Sequence, residues 1–334
     1  MRLFIIFLLL SVAKSSLIEK FEDWLKEFKI KVEDDYKNYD GVLKKWIENH
    51  KYIEDVNSRN LSYKLGHNQF SGMDSSDFSN YLGMSRILFQ DNSQYLRAYK
   101  PIDNKQGVPE SVNWVKSGAV TPVKDQGQCG SCWSFSTTGA LEGAFFIKNG
   151  ELQSFSEQQL VDCDTYSNGG KDMGCKGGLM DNAFTWISKN NGLCNEQEYP
   201  YVSGTTKKSA NCQKTCTIIK NSDIVSYVDV QPKSDEEMMK ALSMQPVSIA
   251  IEADQKDFQL YKSGVFTGKC GSNLDHGVLA VGYGKLDGED YYLVKNSWST
   301  SWGYGGYIML GRGPQYNGGD GQCGMLLQGS YPML

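Results

Sequence analysis

The stretch Gln126–Phe135, QGQCGSCWSF, places Cys129 and Cys132 with two residues between them. That spacing suits a redox dithiol, half of a metal site, or a nucleophile beside a structural cysteine. A redox pair of this kind belongs in a strand–helix–strand unit, and no such pattern surrounds it. A metal site needs grouped ligands, yet the chain has three histidines, His50, His67 and His276, none in a ligand-spaced pair. The nucleophile reading finds everything it requires. Behind Trp133 the residues Ala140, Leu141, Ala144 and Phe145 recur at helical spacing, and the run closes on Lys148-Asn149-Gly150, a basic residue followed by stop residues. Cys132 thus stands at a helix N-terminus, where the positive end of the backbone dipole favours thiolate over thiol.

A thiolate needs a base, and the base needs an orienting group. His276, in LDHGV ahead of a strand-like run, can pair with the thiolate as imidazolium and later protonate a leaving amine. Asn296, in VKNSW, has a side-chain carbonyl that can accept the imidazole N–H and fix its tautomer. Gln126 offers an amide that can join the Cys132 N–H in binding an oxyanion, and such a donor contributes about 3–4 kcal/mol in a transition state. His50 and His67 read as ordinary core or surface histidines.

The wider sequence gives these residues a setting. The 334 residues suffice for one or two cores. The opening MRLFIIFLLLSVAKSS, with Arg2, an apolar run from Leu3 to Leu10 and small residues after it, reads as a secretory leader over 1–16. Its run falls short of the roughly 20 residues a membrane span needs, so no membrane anchor is expected. Secretory entry permits disulfides, and nine cysteines leave at least one unpaired. A net charge of −5 argues against the basic footprint of a nucleic-acid binder.

Phe21, Trp24, Leu25 and Phe28, then Val42, Trp46, Asn49, Ile53 and Val56, follow helical spacing and predict two amphipathic helices. Asp91–Gly107 is polar, carries Pro101, and reads as a linker. Ser156 with Gln159, and Ser234 with Glu237, have capping-box spacing. GVLAVGYG, DYYLVKNSW and GGYIMLGRG read as strands, with Asp287-Gly288 turning between the first two. Beyond the linker a helical half precedes a β-rich half, an α+β pattern with a cleft between them.

Taken together, QGQCGSCWSF, LVDC, GCKGG, LDHGV, and KNSW with its following SWG resemble the papain-like cysteine proteases of the cathepsin L branch, over nearly the whole chain after the leader. The resemblance implies an α+β fold with a helical left domain, a β-barrel-like right domain and a cleft between, preceded by a helical inhibitory prosegment. The chain then divides into a leader over 1–16, a propeptide over 17–107 and a mature peptidase over 108–334. Cys132 becomes the nucleophile, His276 the acid/base, Asn296 its orienter, Gln126 the oxyanion donor and Trp298 a shield over the His–Asn bond. Peptide hydrolysis through an acyl-enzyme follows, with no metal or organic cofactor. The family pairs Cys129 with Cys175, Cys163 with Cys212, and Cys270 with Cys323. Cys194 and Cys216 depart from that pattern and are expected to bridge each other, with an exchange of roles between Cys216 and Cys212 as the alternative.

By the same resemblance the pocket for the residue two before the scissile bond (P2) is walled by Leu179, Met180, Ala250, Leu274 and Gly277. Asp275 and Trp298 also line the cleft, Gly177 and Gly178 admit substrate backbone, and Gln328 closes the pocket's end. Leu, Phe or Val is expected at P2, with modest tolerance of polar residues. The region before the linker resembles the family's prosegment, with Trp46, Asn49, Ile53 and Asn57 in motif positions but Asn38 and Val42 where an acid and a base are usual. Gly66, Asn68 and Phe70 match a second motif, whose acidic position holds Gly72. The prosegment is expected to cross the cleft in reverse and to leave on acidification, giving a mature start near Val108 or Pro109. The sequon Asn60-Leu61-Ser62 lies within it.

The implied partners are protein and peptide substrates, the chain's own propeptide and cystatin-type inhibitors, for a monomer in a lysosome or vacuole or outside the cell. A peptide ligase would use the same acyl-enzyme with an amine in place of water. A non-catalytic homologue is expected to lack one of the four site residues; exopeptidase activity in the resembled family comes from an occluding insertion or a retained propeptide fragment, and no histidine-bearing insertion is seen here.

Overall fold

A computed structural model describes residues 16–32, 36–83 and 107–334. The expected leader apart from Ser16, and the expected linker apart from Gly107, lie outside the described residues. The helix Cys132–Asn149 is buried from Cys132 through Phe145 and ends at Gly150, whose φ of 74° is the left-handed geometry that terminates helices. On one side it packs Trp133, Leu141 and Phe145 against Leu160, Phe184 and Ile187, from the helices Glu157–Cys163 and Met180–Lys189. The Ser156 and Ser234 hydroxyls accept the N–H groups of Gln159 and Glu237 at 3.0 and 3.2 Å, as capping residues do. Gln159 does not close its box, because its amide oxygen takes the Cys194 N–H at 2.8 Å.

Against the other side of the helix stands one sheet. Its strands are β1 (Tyr63–Leu65), β2 (Val112–Asn113), β3 (Ser226–Asp229), β4 (Val247–Ile251), β5 (Tyr261–Phe266), β6 (His276–Leu286), β7 (Glu289–Lys295), β8 (Tyr307–Gly311) and β9 (Gly329–Met333). They run in the order β1-β5-β8-β7-β6-β4-β9-β3, with β2 also on β6. Among the described strands of this sheet, only the β5–β8 pairing is parallel. The β6–β7 hairpin turns at Asp287-Gly288, both with positive φ, the conformation that a two-residue hairpin turn favours. This is the α+β architecture with a helical and a β-rich layer and a cleft between. The bridges join Cys129–Cys175, Cys163–Cys212, Cys194–Cys216 and Cys270–Cys323, and Cys132 is left as a thiol.

The expected prosegment has a small apolar core of its own and joins the core of the β-rich layer. Its helices, over 16–27 and Tyr36–Asn57, enclose Phe21, Trp24 and Trp46. From there β1 adds itself to the edge of β5, and Phe70 and Phe78 set their rings edge-on to Trp298, each 5.3 Å away. The motif asparagines hold the turns between. Asn49 donates to the carbonyls of Ser71 and Met73 at 2.9 Å each, Asn57 brackets Leu65 through both N–H and C=O, and Asn68 donates to Gln259 C=O at 2.8 Å.

Two of the three departures from the prosegment motifs, Val42 and Gly72, prove to be neighbours. A Cβ at Gly72 would lie 2.8 Å from Val42 Cγ1 and 2.8 Å from Trp24 Cη2. Where the resemblance led us to expect a base and an acid, this chain has apolar contact and no room for a carboxylate. Gly72→Asp is therefore expected to weaken prosegment docking by about 1–3 kcal/mol, the usual cost of overpacking. The check is precursor processing near neutral pH, which should begin earlier in the variant than in the wild type.

Candidate active site

The end of the helix Cys132–Asn149 and the start of β6 meet at the cleft. Gly277, the second residue of β6, donates its N–H to Cys132 Sγ at 3.2 Å, which brings His276 beside the helix N-terminus. His276 Nε2 lies 2.8 Å from Asn296 Oδ1. That oxygen also accepts the Ser297 N–H at 2.8 Å, so the proton of the His–Asn bond resides on Nε2. Nδ1 of a neutral ring is then an acceptor, and it is buried without a hydrogen-bond partner among the described residues. Trp298 stacks on the imidazole with centroids 4.5 Å apart.

Gln126 is oriented from both ends. Its Oε1 accepts from Ser297 Oγ at 2.7 Å, which turns the amide nitrogen toward the Cys129 carbonyl at 3.0 Å and toward the prosegment's Tyr81 carbonyl at 2.9 Å. Two residues on, Gly83 lies against Gly130. A Cβ at Gly83 would come within 2.3 Å of the Gly130 carbonyl oxygen, so only glycine passes there. The backbone N–H groups of Gly277, Gly83 and Trp133 all act on the thiol.

The sequence led us to expect a thiolate at this helix end, and the precursor corrects that. Burial pushes the Cys132 thiol up to about 11, against the smaller pull of the surrounding N–H groups. Burial likewise pushes His276 down to about 4, although its bond to Asn296 opposes the shift. Burial thus favours the neutral form of both groups.

Of the residues expected to form the P2 pocket, Leu179, Met180, Ala250 and Leu274 share one buried cluster, and a Cβ at Gly277 would touch Met180 Sδ at 3.3 Å. Gln328 accepts the Ala250 N–H on its backbone carbonyl at 3.1 Å, and its side-chain Oε1 is buried without a partner among the described residues. Asp275 turns inward, where its carboxylate accepts the Ala253 N–H at 2.8 Å. Gly177 has a φ of 114°, while a Cβ at Gly178 would lie 2.5 Å from the Trp133 ring. Internal packing alone already requires glycine at the second position. Asn60, the sequon residue, is exposed in the turn before β1.

Sequence reasoning missed what lies behind Asn296. Lys124 sits among Glu142, Glu157 and Glu196 at 3.2, 2.6 and 3.4 Å, and Lys295 donates to Thr121 at 3.0 Å. Burial opposes the Lys124 charge, but the three carboxylates outweigh it and raise its pKa, while burial lowers Lys295 to about 8. Charged residues spread from 124 to 295 give no local signal that they converge. Among the described residues no group of three or more His, Cys, Asp or Glu side chains is placed to hold a metal ion.

Comparison with known proteins gives the family. The papain family cysteine protease model matches residues 108–333, and the cathepsin propeptide inhibitor domain matches residues 21–78. The chain is 42% identical over 325 residues to cysteine proteinase RD21A of Arabidopsis thaliana, across 96% of this chain and 67% of that protein. It is 42% identical over 328 residues to cysteine protease XCP2 of the same plant, across 95% of this chain and 86% of that one. In structure it is similar to a recombinant stem bromelain precursor, with 35% identity and a TM-score of 0.84 over 96% of this chain and 99% of that one. The chain belongs to the papain family of cysteine proteases. It is a cysteine endopeptidase made as a proenzyme with an inhibitory propeptide.

Proposed function

We propose that Cys132 attacks the peptide carbonyl, with His276 taking the thiol proton on Nδ1 and returning it to the leaving amine. The Cys132 N–H and Gln126 Nε2 hold the oxyanion, and Asn296 keeps the imidazole in its productive tautomer. The acyl-enzyme on Cys132 then yields to a water deprotonated by His276. The observation that carries this reading is the Tyr81 carbonyl on Gln126 Nε2 at 2.9 Å, a backbone carbonyl already seated where a substrate oxyanion would form. The prosegment inhibits by filling that seat and by burying the thiol and imidazole, so its departure lets the two ionise as a pair. Mature enzyme is proposed to start near Val108, in a lysosome, vacuole or the extracellular space.

The apolar cluster of Leu179, Met180, Ala250 and Leu274 supports a preference for Leu, Phe or Val at P2, and the unpartnered Gln328 Oε1 supports modest tolerance of donors. A positional peptide library tests this, and an Arg preference over Leu would overturn it.

Acid release has a physical source in this chain although Gly72 replaces the usual acid. His67 stacks on Trp46 at 4.6 Å and shares a 2.9 Å bond with His50, which in turn lies 3.3 Å from Glu54. Burial lowers His67 from 6.5 to about 4, helped by the charges of His50 and Lys20. His50 is lowered by burial and by Lys20, against Glu54. A histidine whose folded pKa is depressed stabilises the docked state above its free pKa, and that stability is lost as pH falls from 6.5 toward 4. His67→Gln should make the plot of log processing rate against pH shallower by about one proton across that window. An unchanged slope would remove His67 from the release step.

A further inference from the structure

Ser131 occupies the N-cap of the helix that carries Cys132, yet its side chain does not cap it. Serine is among the preferred residues there because its oxygen accepts an N–H two or three residues on. Here that oxygen lies 2.7 Å from Tyr201 Oη instead, with the Cys129 carbonyl more distant at 3.4 Å. Tyr201 Oη in turn donates its only proton to the Gln126 carbonyl at 2.8 Å, so Ser131 Oγ is the donor to the phenol. One hydroxyl therefore bridges the residue before the nucleophile and the backbone of the glutamine.

The phenol is itself well held. Phe135 meets its ring edge-on at 4.9 Å, and the Tyr201 N–H donates to Glu196 at 3.2 Å. The Gln126–Gln128 loop sits directly on this segment. Gln128 donates its N–H to the Gly204 carbonyl at 3.1 Å, and a Cβ at Gly127 would come within 2.7 Å of Gly204 Cα.

We propose that Tyr201 is a positioning residue for the oxyanion site, fixing the Gln126 loop relative to the helix start and keeping the Ser131 hydroxyl away from the helix N–H groups. The inference rests on the oxyanion roles of Gln126 and the Cys132 N–H proposed above. Two donors from different elements must converge on one oxygen, and a displacement well under the length of a hydrogen bond weakens that convergence. Tyr201 is the side chain that ties one element to the other.

The test compares activated wild-type, Tyr201→Phe, Gln126→Ala and double-variant enzymes. Tyr201→Phe is expected to lower kcat roughly 10-fold with KM nearly unchanged, a fraction of the 10²–10³-fold loss that removal of a whole donor causes. Affinity for a peptide aldehyde, whose adduct with the thiol carries the oxyanion, should fall by the same factor. Alkylation by iodoacetamide, which forms no oxyanion, should keep its rate and pH profile. In the Gln126→Ala background the added loss should shrink to under about 3-fold.

Loss of alkylation in step with kcat would show general disorder and overturn the proposal, as would unchanged kcat in Tyr201→Phe when Gln126→Ala is impaired. Full activity in Gln126→Ala would instead overturn the oxyanion assignment itself. Should Tyr201→Phe fail to fold, Ser131→Ala removes the other end of the bridge without removing a helix cap. It should show the same divergence between aldehyde affinity and alkylation, and a parallel fall of both would again contradict the proposal.

Discussion

Cys132→Ala precursor, held under acidic reducing conditions, is expected to stay full-length and to show peptide hydrolysis reduced by roughly 10⁴–10⁶-fold, as when a catalytic nucleophile is removed. The physical ground is that no other thiol is at hand, since the remaining cysteines are all bridged. The fold should survive, because the substitution removes one sulfur from a site whose walls are set by Trp133, Gly277 and Trp298. A trace of active wild-type enzyme should convert this precursor to a chain beginning near Val108. Electrophoresis with and without the added enzyme separates a missing nucleophile from a prosegment that does not leave. Self-processing of the variant at the wild-type rate would remove Cys132 from the mechanism.

Gln126→Ala in the mature enzyme should lower kcat about 10²–10³-fold with KM little changed, because the oxyanion role proposed for Gln126 is exercised only in the transition state. The substitution has a second effect that distinguishes it from a generic loss of activity. In the precursor the same amide holds the Tyr81 carbonyl, so the variant's prosegment should dock less tightly. Added in trans, the free prosegment should therefore inhibit Gln126→Ala less strongly than wild type. Prosegment inhibition of equal strength would mean that the Tyr81 contact contributes little to latency.

Both expectations trace to residues that the sequence already marked, and the reason is local. The helix behind Cys132 announces itself through apolar spacing and a basic-then-glycine stop, and the β6–β7 hairpin through two β-rich runs around Asp287-Gly288. His276 and Asn296 sit at the edges of those runs, so their placement follows once the strands pair. The short strand β4 was harder to see. Its five residues are all buried, which removes the alternation that distinguishes a strand from a piece of buried helix.

What the sequence hid depends on contacts between distant segments. The helix dipole favours a thiolate at an exposed helix end, but burial outweighs that pull on Cys132 in the precursor. The apolar exchange at Val42 and Gly72 looked like two separate departures until their contact with Trp24 joined them. Ser131 read as part of a motif, and only its bond to Tyr201, 70 residues away, shows that it withholds a cap. The carboxylates gathered on Lys124 are invisible for the same reason.

One thiol, latent under the prosegment and released by acid, is proposed to carry the chemistry. Purified precursor incubated at mildly acidic pH under reducing conditions with an epoxide thiol-protease inhibitor, followed by mass spectrometry of the adduct and of the new N-terminus, tests it directly. The expected result is a single adduct on Cys132, on a chain beginning near Val108, and no labelling of precursor kept at neutral pH. A folded chain that takes no label after acidification, or takes it on another residue, would contradict it.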